Sequence, residues 1–211
     1  MRLVAVNTSG LSLEIAVTDG DRTYAFRDDR FRQASAELMP AMDALLKEAG
    51  FSVRDADAFG VCVGPGSFTG IRIGLSAVRA LCYALGKRAV AVNMGEVLAY
   101  NILTDADSIV PVWDAGNGYA YIAAYENRSM RELLAPCVLK ETQVEAFLAD
   151  IDEPYVTVTD AKMRRFGGAG TAFGLDRAVR AGAARGEFLS YEQLLPLYVR
   201  RSQAEENAAH R

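Results

Sequence analysis

The 211 residues are 51% hydrophobic and 24% charged, without a low-complexity tract, which excludes a disordered or fibrous chain and suits one large domain or two small ones. Acids outnumber Lys and Arg by 27 to 23, a formal charge of −4, so a protein that grips nucleic acid through its own basic face is excluded as well. Cys62, Cys82 and Cys137 form no CxxC pair and read as buried thiols in a reducing cytoplasm. The lone histidine, His210, falls in a polar tail, 201–211, which leaves none for a metal site, a triad or a general base in the core.

Short strands are predicted over 3–6, 13–18 and 23–26, separated by Asn7-Thr8-Ser9-Gly10 and the turn Asp19-Gly20-Asp21; turns this tight make an antiparallel meander. The apolar run 3–6 is too short for a signal peptide or a membrane span. Over 33–49, Ala34, Leu38, Ala41, Met42, Leu45, Leu46 and Ala49 recur at helical spacing. Pro40 lies on the polar face, where it should bend the helix, and Gly50 closes it. A buried strand at 59–63 leads into Gly64-Pro65-Gly66-Ser67, followed by a helix to Leu85, a strand at 89–92 and a third helix to about Leu103.

The second half repeats this order. Ile109-Val110-Pro111-Val112 and Gly116 stand 106 positions after Leu3-Val4-Ala5-Val6 and Gly10. Strands at 119–125 and about 131–138, a helix at 141–148 and a strand at 155–159 follow. The spacing is too long for a solenoid repeat, so a duplicated α/β domain is expected: one lobe over 1–105, a second over 106–200, and a polar tail over 201–211.

The most specific stretch is Gly64-Pro65-Gly66-Ser67-Phe68-Thr69-Gly70-Ile71-Arg72-Ile73-Gly74. A strand, a glycine turn and a helix start can hold an anion, or simply turn the chain with Ser67 or Thr69 as cap; it is neither a Walker loop nor a dinucleotide fingerprint. The helix after it carries two apolar stripes. Phe68, Ile71, Leu75, Val78, Cys82 and Leu85 form one; Gly70, Gly74, Ala77, Ala80 and Ala84, with Ile73 and Leu81 among them, form the other. Small side chains let a second helix approach closely. That neighbour is either the chain's own helix at 33–49 or another polypeptide. On the second reading the partner-binding residues are Leu38, Met42, Leu45, Phe68, Gly70, Ile71, Ile73, Gly74 and Ala77. No paired carboxylates and no Ser-His-Asp or Cys-His set can be assembled. Asp114 stands alone, and a surface or turn role suits it better than catalysis.

These stretches resemble the bacterial TsaB (YeaZ) family of tRNA threonylcarbamoyladenosine biosynthesis proteins. The segment 64–74 is similar to that family's most recognisable motif. Asn7-Thr8-Ser9 resembles its DTS loop with the acid lost, Gln33-Ala34-Ser35-Ala36-Glu37-Leu38-Met39-Pro40 resembles a QHSExLLP helix with the histidine replaced, and Pro196-Leu197-Tyr198-Val199-Arg200 resembles PxYLR. Asp114-Ala115-Gly116 lacks the arginine of the family's DAR segment. The resemblance implies a duplicated actin-like (ASKHA, ribonuclease-H-like) fold and a non-catalytic, cytoplasmic subunit. Its implied partners are the catalytic TsaD and the ATPase TsaE, with tRNA reached indirectly through the complex; separately, an uncovered apolar stripe on the helix pair would let the isolated chain form a homodimer. The resemblance implies no intrinsic cofactor or metal: Asn93 and Val97 stand where TsaD has two metal-binding histidines. ATP or ADP would sit at the complex interface, near Asn7, Thr8, Ser9, Gly64, Gly66 and Ser67. The competing expectations are a small ATP-dependent kinase or acyl-group transferase of the same superfamily, and a metallopeptidase.

Overall fold

The computed structural model describes residues 1–29, 34–169 and 173–200; position 33 and the tail 201–211, with His210, lie outside them. The meander forms as expected: β1 (Arg2–Asn7), β2 (Leu13–Asp19) and β3 (Arg22–Asp28) pair antiparallel. Helix α1 (Ala34–Ala49) runs through the exposed Pro40. It closes on Gly50, whose φ of 78° lets Phe51 N–H reach back to the Leu46 carbonyl. Strand β4 (Ala58–Cys62) lies parallel to β1; helix α2 (Phe68–Leu85) returns the chain to β5 (Ala89–Val92), parallel to β4. The first sheet therefore has the order β3-β2-β1-β4-β5.

After α3 (Met94–Ala99) the pattern repeats. Strands β6 (Ser108–Gly116), β7 (Tyr119–Glu126) and β8 (Glu132–Lys140) form a second meander, α4 (Val144–Ala149) crosses over, and β9 (Tyr155–Thr159) and β10 (Gly168–Ala169) add in parallel. The order β10-β9-β6-β7-β8 is the first sheet's order again, copy for copy. Helix α5 (Phe173–Ala184) follows β10 as α3 follows β5.

The period of two along each central strand sorts side chains between layers. Leu3 and Ala5 of β1 point into a central core with Ile109 and Trp113 of β6, Tyr121 and Tyr125 of β7, and Leu175 and Val179 of α5. Val4 and Val6 point the other way, onto Leu38, Met42 and Leu45 of α1 and Leu75 and Val78 of α2. On the far side, Val110, Val112 and Ile122 pack on Val144 and Leu148 of α4. The layers run helix, sheet, helix, sheet, helix, and β1 is buried on both faces.

Four expectations are corrected. The lobes are not cleanly divided at 105/106. Helix α3 packs on β6, β7 and β9 of the second sheet, while α5 packs on β1, β2, β4 and β5 of the first; each half lends its last helix to the other. Gly60 on β4 makes this possible, since a Cβ there would lie 2.5 Å from Val179. The segment after α5 also returns to the first sheet, where Leu189 bridges Ala89 and Leu194 is fully buried. The third helix ends at Ala99 rather than near Leu103, whose side chain is exposed, and the helix from Glu141 opens with a single tight turn before α4. Finally, Cys62 and Cys82 are buried but Cys137 only half so.

Candidate functional site

Asn7, at the end of β1, is 1% exposed, as are Thr8 and Ser9. Asn7 Nδ2 donates to Glu14 Oε2 at 2.9 Å and contacts the Met94 sulfur at 3.6 Å; its Oδ1 accepts from Ser9 N–H and Oγ at 3.0 and 2.7 Å. Ser9 Oγ also lies 3.1 Å from Cys62 Sγ. Thr8 Oγ1 donates to the Gly70 carbonyl at 2.6 Å and accepts from Gly74 N–H at 3.0 Å. The side chains of Asn7, Thr8 and Ser9 all bond within the chain itself.

The glycine turn is closed in the same way. Ser67 Oγ caps α2 by accepting from Gly70 N–H, and Ser67 N–H donates to the Ser9 carbonyl at 2.8 Å. A Cβ on Gly66 would sit 2.1 Å from that carbonyl. Trp113 Nε1 of the second lobe donates to the Pro65 carbonyl at 3.1 Å, Met94 N–H to that of Gly64, and Leu197 N–H to that of Val63. The turn therefore acts as a junction of five segments, and of the two cap candidates Ser67 is the one that caps α2.

The residues expected to face a partner divide by burial. Leu38, Met42 and Leu45 are core residues packed against the first sheet, and Ile71 is fully buried. Gly70 and Gly74 face Thr8, with a Cβ on Gly74 only 2.5 Å from Thr8 Oγ1. None of these six offers surface to another polypeptide, because the chain's own sheet and β1–β2 loop already cover them. Phe68 is half-buried beneath Tyr198, stacked at 4.4 Å and 11°. Ile73 and Ala77 are partly open, with Leu81 beside them and Ala80 and Ala84 exposed. Spaced at i, i+4, i+7, i+8 and i+11, these five form one face of α2. By length and apolarity α2 could be taken for a membrane span, yet its Ile71, Leu75, Val78 and Cys82 side is core.

Between the lobes lies a cleft of about 510 Å³, lined by Glu14, Arg27 and Asp29 from the first, by Met94, Val97 and Leu98 of α3 with Asn101 just beyond it, and by Thr159, Asp160 and Arg164 from the second. Burial pushes the Glu14 carboxyl above its ordinary value, against the hydrogen bond from Asn7 and the Arg27 guanidinium 3.2 Å away. Asp160 is likewise pushed up by burial, though it accepts from three backbone N–H groups. Asp114 lies in β6 opposite Ala120, just before the register shift, where it pairs with Lys162 and accepts from Gly116 N–H. The sequence reading did not single out Glu14 and Arg27. The signal was there, since a hairpin turning at Gly20 sets them directly opposite on β2 and β3.

At the start of α3, Asn93 Oδ1 caps the helix by accepting from Glu96 N–H and also accepts from Tyr125 Oη, and Val97 is 1% exposed. A helix cap and a core side chain thus occupy the positions that the resemblance matches to metal-binding histidines, and neither is a metal donor of the imidazole kind.

Two sheets of identical topology, interlocked through exchanged helices around a central cleft, define an actin-like two-lobed protein whose β1 ends on Asn7. Residues 30–150 match the family model described as TsaD, tRNA N6-adenosine threonylcarbamoyltransferase. The chain is 32% identical over 130 residues to the tRNA threonylcarbamoyladenosine biosynthesis protein TsaB of Bacillus subtilis, covering 61% of this chain and 57% of that one. It is 26% identical over 163 residues to the Escherichia coli TsaB, covering 75% and 71%. Its fold superposes on YeaZ from Pseudomonas aeruginosa with a TM-score of 0.77 at 26% identity, covering 93% of this chain and 99% of that one. The chain belongs to the TsaD family, within its TsaB (YeaZ) group. Its matched stretch spans little more than half of the Bacillus relative.

Proposed function

We propose that the chain takes part in tRNA threonylcarbamoyladenosine biosynthesis as a non-catalytic subunit that binds and activates a TsaD-type catalytic partner. The complex, with a TsaE-type ATPase, would carry threonylcarbamoyl to the adenosine beside the anticodon. The observation that carries this reading is the closed β1–β2 loop. Asn7 stands where an actin-like ATPase places the acid that organises Mg²⁺ and water, and its side chain is spent on Glu14, Ser9 and Met94. Family membership and the names of the relatives support the pathway. The net charge of −4 supports a subunit that leaves tRNA to others.

The docking face under this reading is the row Ile73, Ala77, Ala80, Leu81 and Ala84 of α2, whose small side chains suit close approach of a partner helix. ATP or ADP, where used, would be shared at the subunit boundary. The same row would let the isolated chain pair with itself, since uncovered apolar surface is costly in water. The test is reconstitution with the TsaD-type and TsaE-type proteins of the same cell, measuring modified adenosine in tRNA. Modification should require this chain and fail with Ala77→Arg, which should remain folded but no longer co-purify with the TsaD-type protein. Modification that is undiminished without the chain, or steady ATP hydrolysis by the chain alone, would remove the proposal.

A further inference from the structure

The lobes share α3 and α5, and a packed helix pair of this kind allows two bodies to rotate or slide on each other. One other segment touches both lobes and the layer between them within four residues. Leu197 donates its N–H to the Val63 carbonyl and packs into the first lobe's outer core. Tyr198 stacks on Phe68, and its hydroxyl accepts from Arg72 Nε at 3.0 Å, both on α2. Val199 packs against the central core. Arg200 reaches the second lobe, where Nη1 donates to the carbonyls of Ala115 and Gly116 at 3.0 and 2.9 Å and the guanidinium lies 4.3 Å from the Tyr119 ring centre. Those carbonyls end β6 where it enters the β6–β7 turn, the second half's counterpart of the β1–β2 loop.

We propose that residues 196–200 are a strap that fixes the angle between the lobes, with Arg200 as its clasp. The argument is one of anchoring on both sides. The strap is held to the first lobe by a buried leucine at 194, by the bridge at Leu189 and by the Phe68 stack. A guanidinium held by two carbonyls and an aromatic face at the far end resists opening in a way that a single neutral hydrogen bond would not. With the clasp released, the cleft between Arg27 and Arg164 would sample wider states. The inference concerns the isolated chain and stands apart from any partner.

Paired spin labels on the full chain test it, at Lys47→Cys on α1 and Glu145→Cys on α4 in a Cys137→Ser background, read as an interlobe distance distribution. Arg200→Ala should broaden that distribution towards longer distances while the far-ultraviolet circular dichroism stays unchanged. Amide exchange in the β6–β7 turn should quicken by about tenfold, the low end of what lost hydrogen bonds to a charged group produce. Tyr198→Ala should broaden the same distribution from the other end of the strap. Should Arg200→Ala fail to fold, Arg200→Gln decides by the same readout, because a shorter neutral amide loses the charge that the two carbonyls and the Tyr119 ring hold. An unshifted, equally narrow distribution in the folded variants overturns the proposal.

Discussion

At the scale of single residues, the end of β1 carries no charge at Asn7, and the nearby carboxylate is that of Glu14, one hydrogen bond away. The two cannot both be acids at low cost. Asn7→Asp would set two buried carboxylates at the present 2.9 Å separation, and one of them would have to stay protonated. Glu14 is already raised by burial, so the second acid raises it further. A carboxyl whose folded value lies above its unfolded one contributes stability at pH below the unfolded value, near 4.5 for Glu, and loses it as pH rises through the folded value. The variant should therefore be less stable than the parent at neutral pH by ~1–3 kcal/mol, the usual cost of an unsatisfied buried group, and should approach the parent as the solution is acidified. Urea unfolding of both proteins from pH 4 to 8 reads the difference; a gap that stays constant with pH would show that Glu14 does not face residue 7 as described.

Helix α2 shows what an amphipathic pattern says and what it leaves out. Periodicity placed Gly70, Gly74, Ala77, Ala80 and Ala84 on one small-residue stripe, and the helix forms over 68–85 as that pattern requires. What the pattern could not say is which neighbour each position meets. The stripe is split: Gly70 and Gly74 near the N-terminus lie against Thr8, whereas Ala80 and Ala84 near the C-terminus are exposed. The two glycines are small because the β1–β2 loop crosses the helix there, and that crossing joins residues more than sixty positions apart. Gly74→Ala should cost ~1–3 kcal/mol through overpacking, because the methyl would meet Thr8 Oγ1 at 2.5 Å. Thr8→Ser in the same chain leaves the clash, so it should not restore stability, whereas Thr8→Ala removes the contacting hydroxyl and should recover part of it. Thermal unfolding of the single and double variants measures the coupling. Independent, additive losses would mean that helix and loop are not in contact.

Over the whole molecule, the duplication was legible because the first two strands recur at an offset of 106 and the order of elements repeats after them, as the matching sheet orders show. The exchange of α3 and α5 was not. The sequence of α5 contributes mostly small apolar residues to its buried side, Ala178, Val179 and Ala183 beside Leu175, a weak signal beside the stripes of α1 and α2. Strand β10 is only two residues long, too short to announce the crossover that α5 completes. The exchange changes what counts as a folding unit. Without α5, the first sheet would expose Leu3, Ala5, Cys62, Val90 and Val92 on its inner face, all of them buried in the shared core. Burying each of Leu3, Val90 and Val92 is worth about 1.5–3 kcal/mol, and small domains have only ~5–15 kcal/mol in total. A fragment of residues 1–105 should therefore fail to fold alone, with dispersed amide resonances appearing only when residues 106–211 are added in trans. The full chain should unfold in one transition, with fluorescence of Trp113 in the second lobe tracking circular dichroism from both. Two separable transitions, or a cooperatively folded 1–105 fragment, would show instead that each lobe carries a core sufficient to itself.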